Sequence, residues 1–487
     1  MNRHRKSSSA GRHRRRCWQA GATALAALVA ALGLPAPGGA GGGPALAAAP
    51  PLENPRQAAA TLQPQVTPVA DLLDPDAPAP APGALRDLAA AHLAATQVGP
   101  ASVSVRDLAS GEELFAISPD QPLPPASTVK ILTATAALAV LGPDSTLSTA
   151  AVMSVTGPAS GIVTLVAGGD MALAPDAGRP AEAMGHAGLG DLARAAAVEL
   201  RRRGVQNVEV RLDDTIFSGP AVYPDWEWSL GSTWGSPTAP LAVLGGRAGA
   251  AFDAVTYVAD PALAAARQFR GLLAQAGQDA GLALPTFAVA GGVTRAAAPA
   301  EAELLAQVDS APVRDLVAHL LRQSDNNMAD SLGRVTALAL GQPGSFAGCA
   351  AAVTQTLDEL GVVTAGLKMD DCSGLSHGSA VSAATVTSAL ALSAGPEAGA
   401  LGAVARDLPA GALQGTLAGR FHETAAAGNV RAKTGTLTGV TALAGTVQTA
   451  GGRELVFAII ANPGNAIWTD LARQSVDRFV AALAGLP

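Results

Sequence analysis

The two ends of the ordered chain carry matching halves of one pattern, and the block between them does not share it. Residues 84–97 have helical spacing, Ala101–Arg106 alternates like a strand, and the turn Ala109-Ser110-Gly111-Glu112 leads to a second strand, Glu113–Ile117. Near the other end, strands are expected at Val440–Val447 and Leu455–Ala461, followed by a helix from about Asn465 to Leu483. From about 145 to 256 the texture changes. That block has short strands (Gly161–Val166, Val208–Leu212), a basic helix ending Arg201-Arg202-Arg203, and a loop with Trp226, Trp228 and Trp234, three of the five tryptophans. Helical spacing returns at Pro261–Ala276 and Val313–Arg322. The reading is an α+β fold in which helices cover an antiparallel sheet. One domain would lie in two pieces, 84–145 and 257–487, split by an inserted, mainly β domain over 146–256.

Ahead of these elements stands a leader. The first sixteen of the 487 residues carry seven positive charges and no acid. An apolar stretch from about Ala20 to Leu34 and the small-residue run Ala45-Leu46-Ala47 follow. That order reads as a secretory signal over 1–47, cleaved after Ala47. The alternative is an uncleaved membrane anchor, for which an apolar run of roughly 15 residues is short against the usual ~20. Residues 48–83, rich in Ala and Pro, read as a flexible linker. The expected location is exported: extracellular or in the cell envelope, peripheral to the outer face of the membrane or to the wall.

Loss of the leader moves the formal charge from −7 to −14. An acidic chain with scattered arginines argues against nucleic-acid partners. The seven histidines show no paired metal-ligand spacing, so zinc peptidase chemistry is disfavoured, and neither a metal nor an organic cofactor is implied. Cys349 and Cys372 can either pair in an oxidising compartment or remain buried thiols.

The chemistry is carried by lysine. The chain has four lysines against twenty-eight arginines, and two of the four sit in notable places. Lys130 closes Ser127-Thr128-Val129-Lys130, and Lys433 opens Lys433-Thr434-Gly435-Thr436. A desolvated lysine amine can lose its proton, whereas guanidinium effectively cannot. Pro124-Pro125 precede an alanine-rich helix from about Ser127 to Leu141, so Ser127 lies where the helix dipole and free amides favour developing negative charge. Spacing of i and i+3 puts Lys130 on the same helical face as Ser127. A general base beside a nucleophile is one reading of the pair, and an N-capping serine with a solvated lysine is the other. Likewise Ser324-Asp325-Asn326, taken alone, is an ordinary polar loop or helix cap, and the Lys433 segment an ordinary strand entry.

All three elements in this order form the signature of penicillin-binding proteins and class A β-lactamases. In that frame Ser127 attacks a carbonyl and carries the acyl group, and Lys130 accepts its proton. Ser324 relays a proton to the departing amine, and Asn326 binds the substrate amide and orients Lys130. Lys433 offers positive charge to a substrate carboxylate, Thr434 and Thr436 add hydroxyl donors, and Gly435 lets a substrate strand approach. The backbone amides of Ser127 and Thr436 are the candidate oxyanion donors.

Further stretches narrow the resemblance. Leu165-Val166-Ala167-Gly168-Gly169-Asp170, Asp213-Asp214-Thr215-Ile216-Phe217 with Trp226, Asp371-Cys372-Ser373-Gly374-Leu375-Ser376, and Gly415-Thr416-Leu417 are joined by Ala432-Lys433-Thr434-Gly435-Thr436-Leu437. From about residue 84 to the end the chain resembles the D-Ala-D-Ala carboxypeptidase/endopeptidase family, the class C low-molecular-mass penicillin-binding proteins. The resemblance implies a β-lactamase/transpeptidase-like fold, peptidoglycan stem peptides as substrate and β-lactam antibiotics as acylating ligands. Departures from the family pattern are Ala167 and Cys372 at glycine positions, Met171-Ala172 for Pro-Thr, and His377 where an arginine is common. Two rival readings remain. A β-lactamase is disfavoured by the long insertion and by the lack of a Glu-x-x-Leu-Asn segment after Ser324-Asp325-Asn326. A non-catalytic peptidoglycan-binding scaffold of the envelope would not require Ser127, Lys130, Ser324, Asn326 and Lys433 together.

Overall fold

The computed structural model describes residues 76–226, 234–248, 256–279 and 287–487. The expected signal segment, most of the linker and Trp228 lie outside the described residues. The fold takes hold slightly earlier than Ala84, because Ala77 is buried and its carbonyl accepts a bond from Arg453.

Helix α1 (Pro82–His92) has proline at its start, where the missing N–H is not needed, and buries Leu85 and Ala89 one turn apart. Strands β1 (Ala101–Asp107) and β2 (Glu113–Ile117) follow, then a 3₁₀ turn (Ala126–Val129) running into α2 (Lys130–Leu141). The chain next builds β3 (Ser148–Gly157), β4 (Ser160–Val166), β5 (Asp170–Leu173), α3 (Leu189–Arg202), β6 (Asn207–Asp213), β7 (Leu241–Val243), α4 (Pro261–Asp279), β8 (Ala288–Arg295) and β9 (Glu303–Asp309). It returns through α5 (Val313–Gln323), α6 (Asn326–Ala339), α7 (Phe346–Glu359) and α8 (Ala383–Ala394) to β10 (Val430–Leu437), β11 (Val440–Gln448), β12 (Glu454–Ala461) and α9 (Ala466–Ala484).

The two chain ends form one antiparallel sheet, ordered β10-β11-β12-β1-β2, as expected. Its period-two alternation divides β12 between two cores. Leu455, Phe457, Ile459 and Ala461 pack with Leu85, Val476 and Phe479 from α1 and α9. Val456, Ala458 and Ile460 face the opposite layer, with Leu132, Leu320, Leu332, Val353 and Val386 from α2, α5, α6, α7 and α8. Strand β10 is left at the sheet edge, its outer side bonded to residues 409–411 as far as Ala432 and, among the described residues, not paired to another strand beyond it.

The inserted domain is larger than its sequence texture suggests. Its five-stranded sheet, β8-β6-β4-β3-β9, runs to Asp309, so the insertion does not end at residue 256. Nor is it mainly β. The β4–β6 pair is parallel, which a hairpin cannot connect, and α3 supplies the crossover. The helical spacing at Pro261–Ala276 belongs to α4, whose Ala265, Ala266, Phe269 and Leu273 bury against the insertion's own sheet and α3. Among the described residues no helix is long and apolar enough to cross a membrane.

Candidate active site

Ser127 sits in the tight turn before α2, half-buried, while Lys130 at the start of that helix is fully buried. The preceding Ala126 has φ +47°, a left-handed conformation that alanine adopts only under constraint. The constraint is visible on both sides of the turn. A Cβ on Gly374 would lie 2.0 Å from the Ala126 carbonyl oxygen, and one on Gly435 would lie 2.7 Å from the Pro125 carbonyl oxygen. Gly435 is therefore required by the turn that carries Ser127. The close approach it allows is to this backbone.

Lys130 Nζ is 2.9 Å from Ser127 Oγ, 2.5 Å from Asn326 Oδ1 and 2.5 Å from the Ser373 carbonyl oxygen. Two of these neighbours are pure acceptors. A neutral amine donates its two hydrogens to them and keeps a lone pair for the Ser127 hydroxyl. Burial lowers the lysine pKa from its usual range to about 8, against the charges of Asp330, Asp371 and Asp325, which pull it up. Near-neutral pH thus leaves a useful fraction of Lys130 unprotonated.

The Ser324-Asp325-Asn326 element is a joint between two helices. Ser324 ends α5 in a left-handed conformation at φ +57°, and the Asp325 side chain caps α6 by accepting from the Met328 amide at 3.0 Å. Burial alone would raise Asp325, but the hydrogen bond and charge of His319 outweigh it and hold the carboxyl at about 2. Asn326 is pinned at both ends: Oδ1 accepts from Lys130, and Nδ2 donates to the Trp234 carbonyl at 2.7 Å. Asn327 repeats this with the insertion, accepting from the Ser236 amide at 2.8 Å and donating to the Gly245 carbonyl at 2.7 Å.

Lys433 reaches inward from edge strand β10, fully buried. Its Nζ donates to Ser324 Oγ at 2.8 Å and to the Thr434 carbonyl at 2.8 Å. Burial pushes its pKa well down, and the charges of Lys130 and Arg420 push the same way. A substrate carboxylate arriving there would restore the ammonium. Thr434 Oγ1 bonds Thr416 Oγ1 at 3.0 Å, and Thr436 is exposed further along the edge. The structure thus assembles the residues expected from sequence in two linked groups, Ser127–Lys130–Asn326 and Ser324–Lys433–Thr434, with Gly435 and Thr436 along the same edge strand. Among the described residues no His, Cys, Asp and Glu cluster fit for a metal occurs.

Sequence reasoning missed the groups behind Lys130. Asp371 is buried, and its carboxylate accepts from the amides of Ser373, Gly374 and Ser376. Asp330 accepts from the Cys372 amide at 2.8 Å; burial and the neighbouring Asp371 raise its pKa to about 7. The motif over Asp371–Ser376 carries no sign of the Ser373 backbone carbonyl that contacts Lys130. Cys372 fits at its glycine-like position because α6 offers Gly333, where a Cβ would lie 2.4 Å from the Cys372 sulfur. The buried thiols of Cys349 and Cys372 lie side by side.

With this geometry in hand, kinship is decisive. The model of the D-Ala-D-Ala carboxypeptidase 3 (S13) family matches residues 86–256 and 239–483. The chain belongs to the S13 family of D-Ala-D-Ala carboxypeptidases. This S13 carboxypeptidase is 35% identical to carboxypeptidase DacB of Mycolicibacterium smegmatis, over 87% of this chain and 88% of that one. It is 36% identical to a carboxypeptidase of Mycobacterium tuberculosis, over 82% and 84% of the two chains. Its fold matches penicillin binding protein 4 (dacB) of Haemophilus influenzae with a TM-score of 0.66 at 21% identity, covering 82% of this chain and 98% of the other. That protein has also been solved complexed with a β-lactam. The S13 carboxypeptidase is accordingly a serine peptidase acting on peptidoglycan.

Proposed function

We propose that the enzyme cleaves the terminal D-Ala from peptidoglycan stem peptides through an acyl-enzyme on Ser127. The observation that carries this reading is the buried Lys130 amine, 2.9 Å from Ser127 Oγ with its other two neighbours both acceptors. Lys130 takes the hydroxyl proton as Oγ attacks the penultimate D-Ala carbonyl. The amides of Ser127 and Thr436 are assigned to the oxyanion. Ser324 gives its hydroxyl proton to the departing D-Ala amine and is reprotonated by the Lys433 ammonium to which it is bonded. The substrate's terminal carboxylate meets Lys433, Thr434 and Thr436 and holds Lys433 protonated at the outset; water then hydrolyses the ester, Lys130 returning its proton to Ser127 Oγ and the proton released by the water restoring Lys433.

A β-lactam presents a strained amide to the same groups, so it should acylate Ser127; the complex of the Haemophilus influenzae relative supports this. Cleavage of D-Ala-to-diamino-acid cross-bridges is the same chemistry on a branched substrate. The basic leader followed by an apolar run supports export to the cell envelope. Release of D-Ala from diacetyl-Lys-D-Ala-D-Ala, measured beside Ser127→Ala, tests the proposal. Release that persists in the variant would refute Ser127 as nucleophile.

A further inference from the structure

The loop that places the Ser373 carbonyl on Lys130 is held from two sides. From within, Asp371 Oδ1 accepts the amides of Ser373 at 3.1 Å and Gly374 at 2.5 Å, and Oδ2 accepts that of Ser376 at 2.8 Å. From helix α2, Thr133 Oγ1 donates to the Cys372 carbonyl at 2.8 Å, and from α6 Asp330 accepts the Cys372 amide. One further donor on Asp371 comes from the inserted domain: Trp226 Nε1 bonds Oδ2 at 2.7 Å. The indole is itself fixed, nearly buried and edge-on to Phe346 at 5.4 Å. Phe346 in turn lies against the Arg334 guanidinium at 4.2 Å, which donates to the Pro220 carbonyl of the insertion at 2.9 Å.

We infer that Trp226 is a positioning residue for the reaction, acting through Asp371 to hold the Ser373 carbonyl against the Lys130 amine. The inserted domain then contributes to catalysis without touching the reacting atoms. This rests on Lys130 being the general base of the proposed mechanism.

The charge balance gives the inference a readout that packing alone would not move. Lys130 faces Asp330 and Asp325 at the α6 end, Asp371 in the loop, and Lys433 on β10. Asp371 faces Asp330 and Tyr223 as well. The negative charge of Asp371 raises the proton affinity of Lys130, and the indole N–H offsets part of that charge. Without the N–H, more of that charge acts on Lys130, and the pH at which it becomes a base rises.

Trp226→Phe keeps an aromatic ring on Phe346 and removes only the donor. A hydrogen bond to a buried charge contributes enough that its loss should slow acylation by a fluorescent penicillin about tenfold. The acid limb of the acylation rate should also move to higher pH. In an Asp371→Ala background the indole has no carboxylate to bond, so Trp226→Phe should then change the rate less than about twofold. All of these variants keep Ser127, and rates are read as ratios between them. Failure of the nucleophile assignment is therefore scored separately, by Ser127→Ala. Acylation of Trp226→Phe at the wild-type rate with an unmoved acid limb overturns the inference. An equal loss in both backgrounds overturns it too.

Discussion

In the antiparallel-sheet domain Lys130, Lys433, Asp330, Arg334 and Asp371 are all removed from water, whereas the inserted domain keeps its ions at the surface. There Arg194 pairs with Asp176 and Asp191, Arg202 and Arg203 with Glu199, and Arg295 with Asp214 and Asp260. Among the described residues of the insertion, Asp170 alone is a buried ion, bonded to the Ala172 amide. Burying a charge costs several kcal/mol even after relaxation, while an exposed pair contributes about 0–1 kcal/mol. The contrast teaches where function sits. Buried charge is concentrated around the reacting atoms, with the Asp107–Arg453 pair and Asp407 buried elsewhere in the same domain, and the insertion reaches that cluster through Trp226, Trp234, Ser236 and Gly245.

The buried charge that matters most to the reaction is Lys130. Lys130→Met keeps similar volume in the core but has no base, and acylation by penicillin should fall by about a thousandfold. A loss below tenfold would mean that the buried lysine is structural only. Next in size is Lys433→Met. KM for a stem peptide with a free terminal carboxylate should rise by about ten- to a hundredfold, the loss of one charge-assisted contact. The same substitution should leave KM little changed for a peptide amidated at its C-terminus. An equal rise in KM for both peptides would remove the carboxylate role.

Asp330→Asn sharpens the comparison by changing charge at constant shape. The Asn oxygen can still accept from Cys372, so the loop should persist. Because Asp330 raises the proton affinity of Lys130, removing its charge leaves Lys130 neutral at lower pH. The acid limb of kcat/KM should therefore move down, and an upward move would contradict the assignment. The smallest effect is expected in the insertion. Arg295→Ala breaks two partly exposed pairs and should cost under ~1 kcal/mol of stability in urea unfolding, with kcat unchanged. A cost of several kcal/mol would show that these pairs are not the weak surface contacts of the comparison.

Much of the site was legible because its spacing is local. Ser127 and Lys130 lie three residues apart on one helical turn, and the elements around Ser324 and Lys433 are contiguous. The antiparallel sheet was legible from the alternation of Ala101–Arg106 and from the strand pairs flanked by helices at its two chain ends. What escaped has a physical reason in each case. The Ser373 contact uses a backbone carbonyl, which no residue type advertises. Trp226 and Asp371 are 145 positions apart, and nothing local links them. The left-handed Ala126 carries no glycine to mark it. The end of the insertion was misjudged because an amphipathic helix such as α4 has the same spacing whichever sheet it covers.

On this geometry Lys130 acts as a neutral amine on Ser127. The pH dependence of Ser127 acylation by a β-lactam tests it most directly. The rate should rise with pH through an apparent pKa near 8, as Lys130 loses its proton, and that limb should vanish in Lys130→Met. A wild-type profile flat between pH 6 and about 9, or a limb unchanged in the variant, would contradict it.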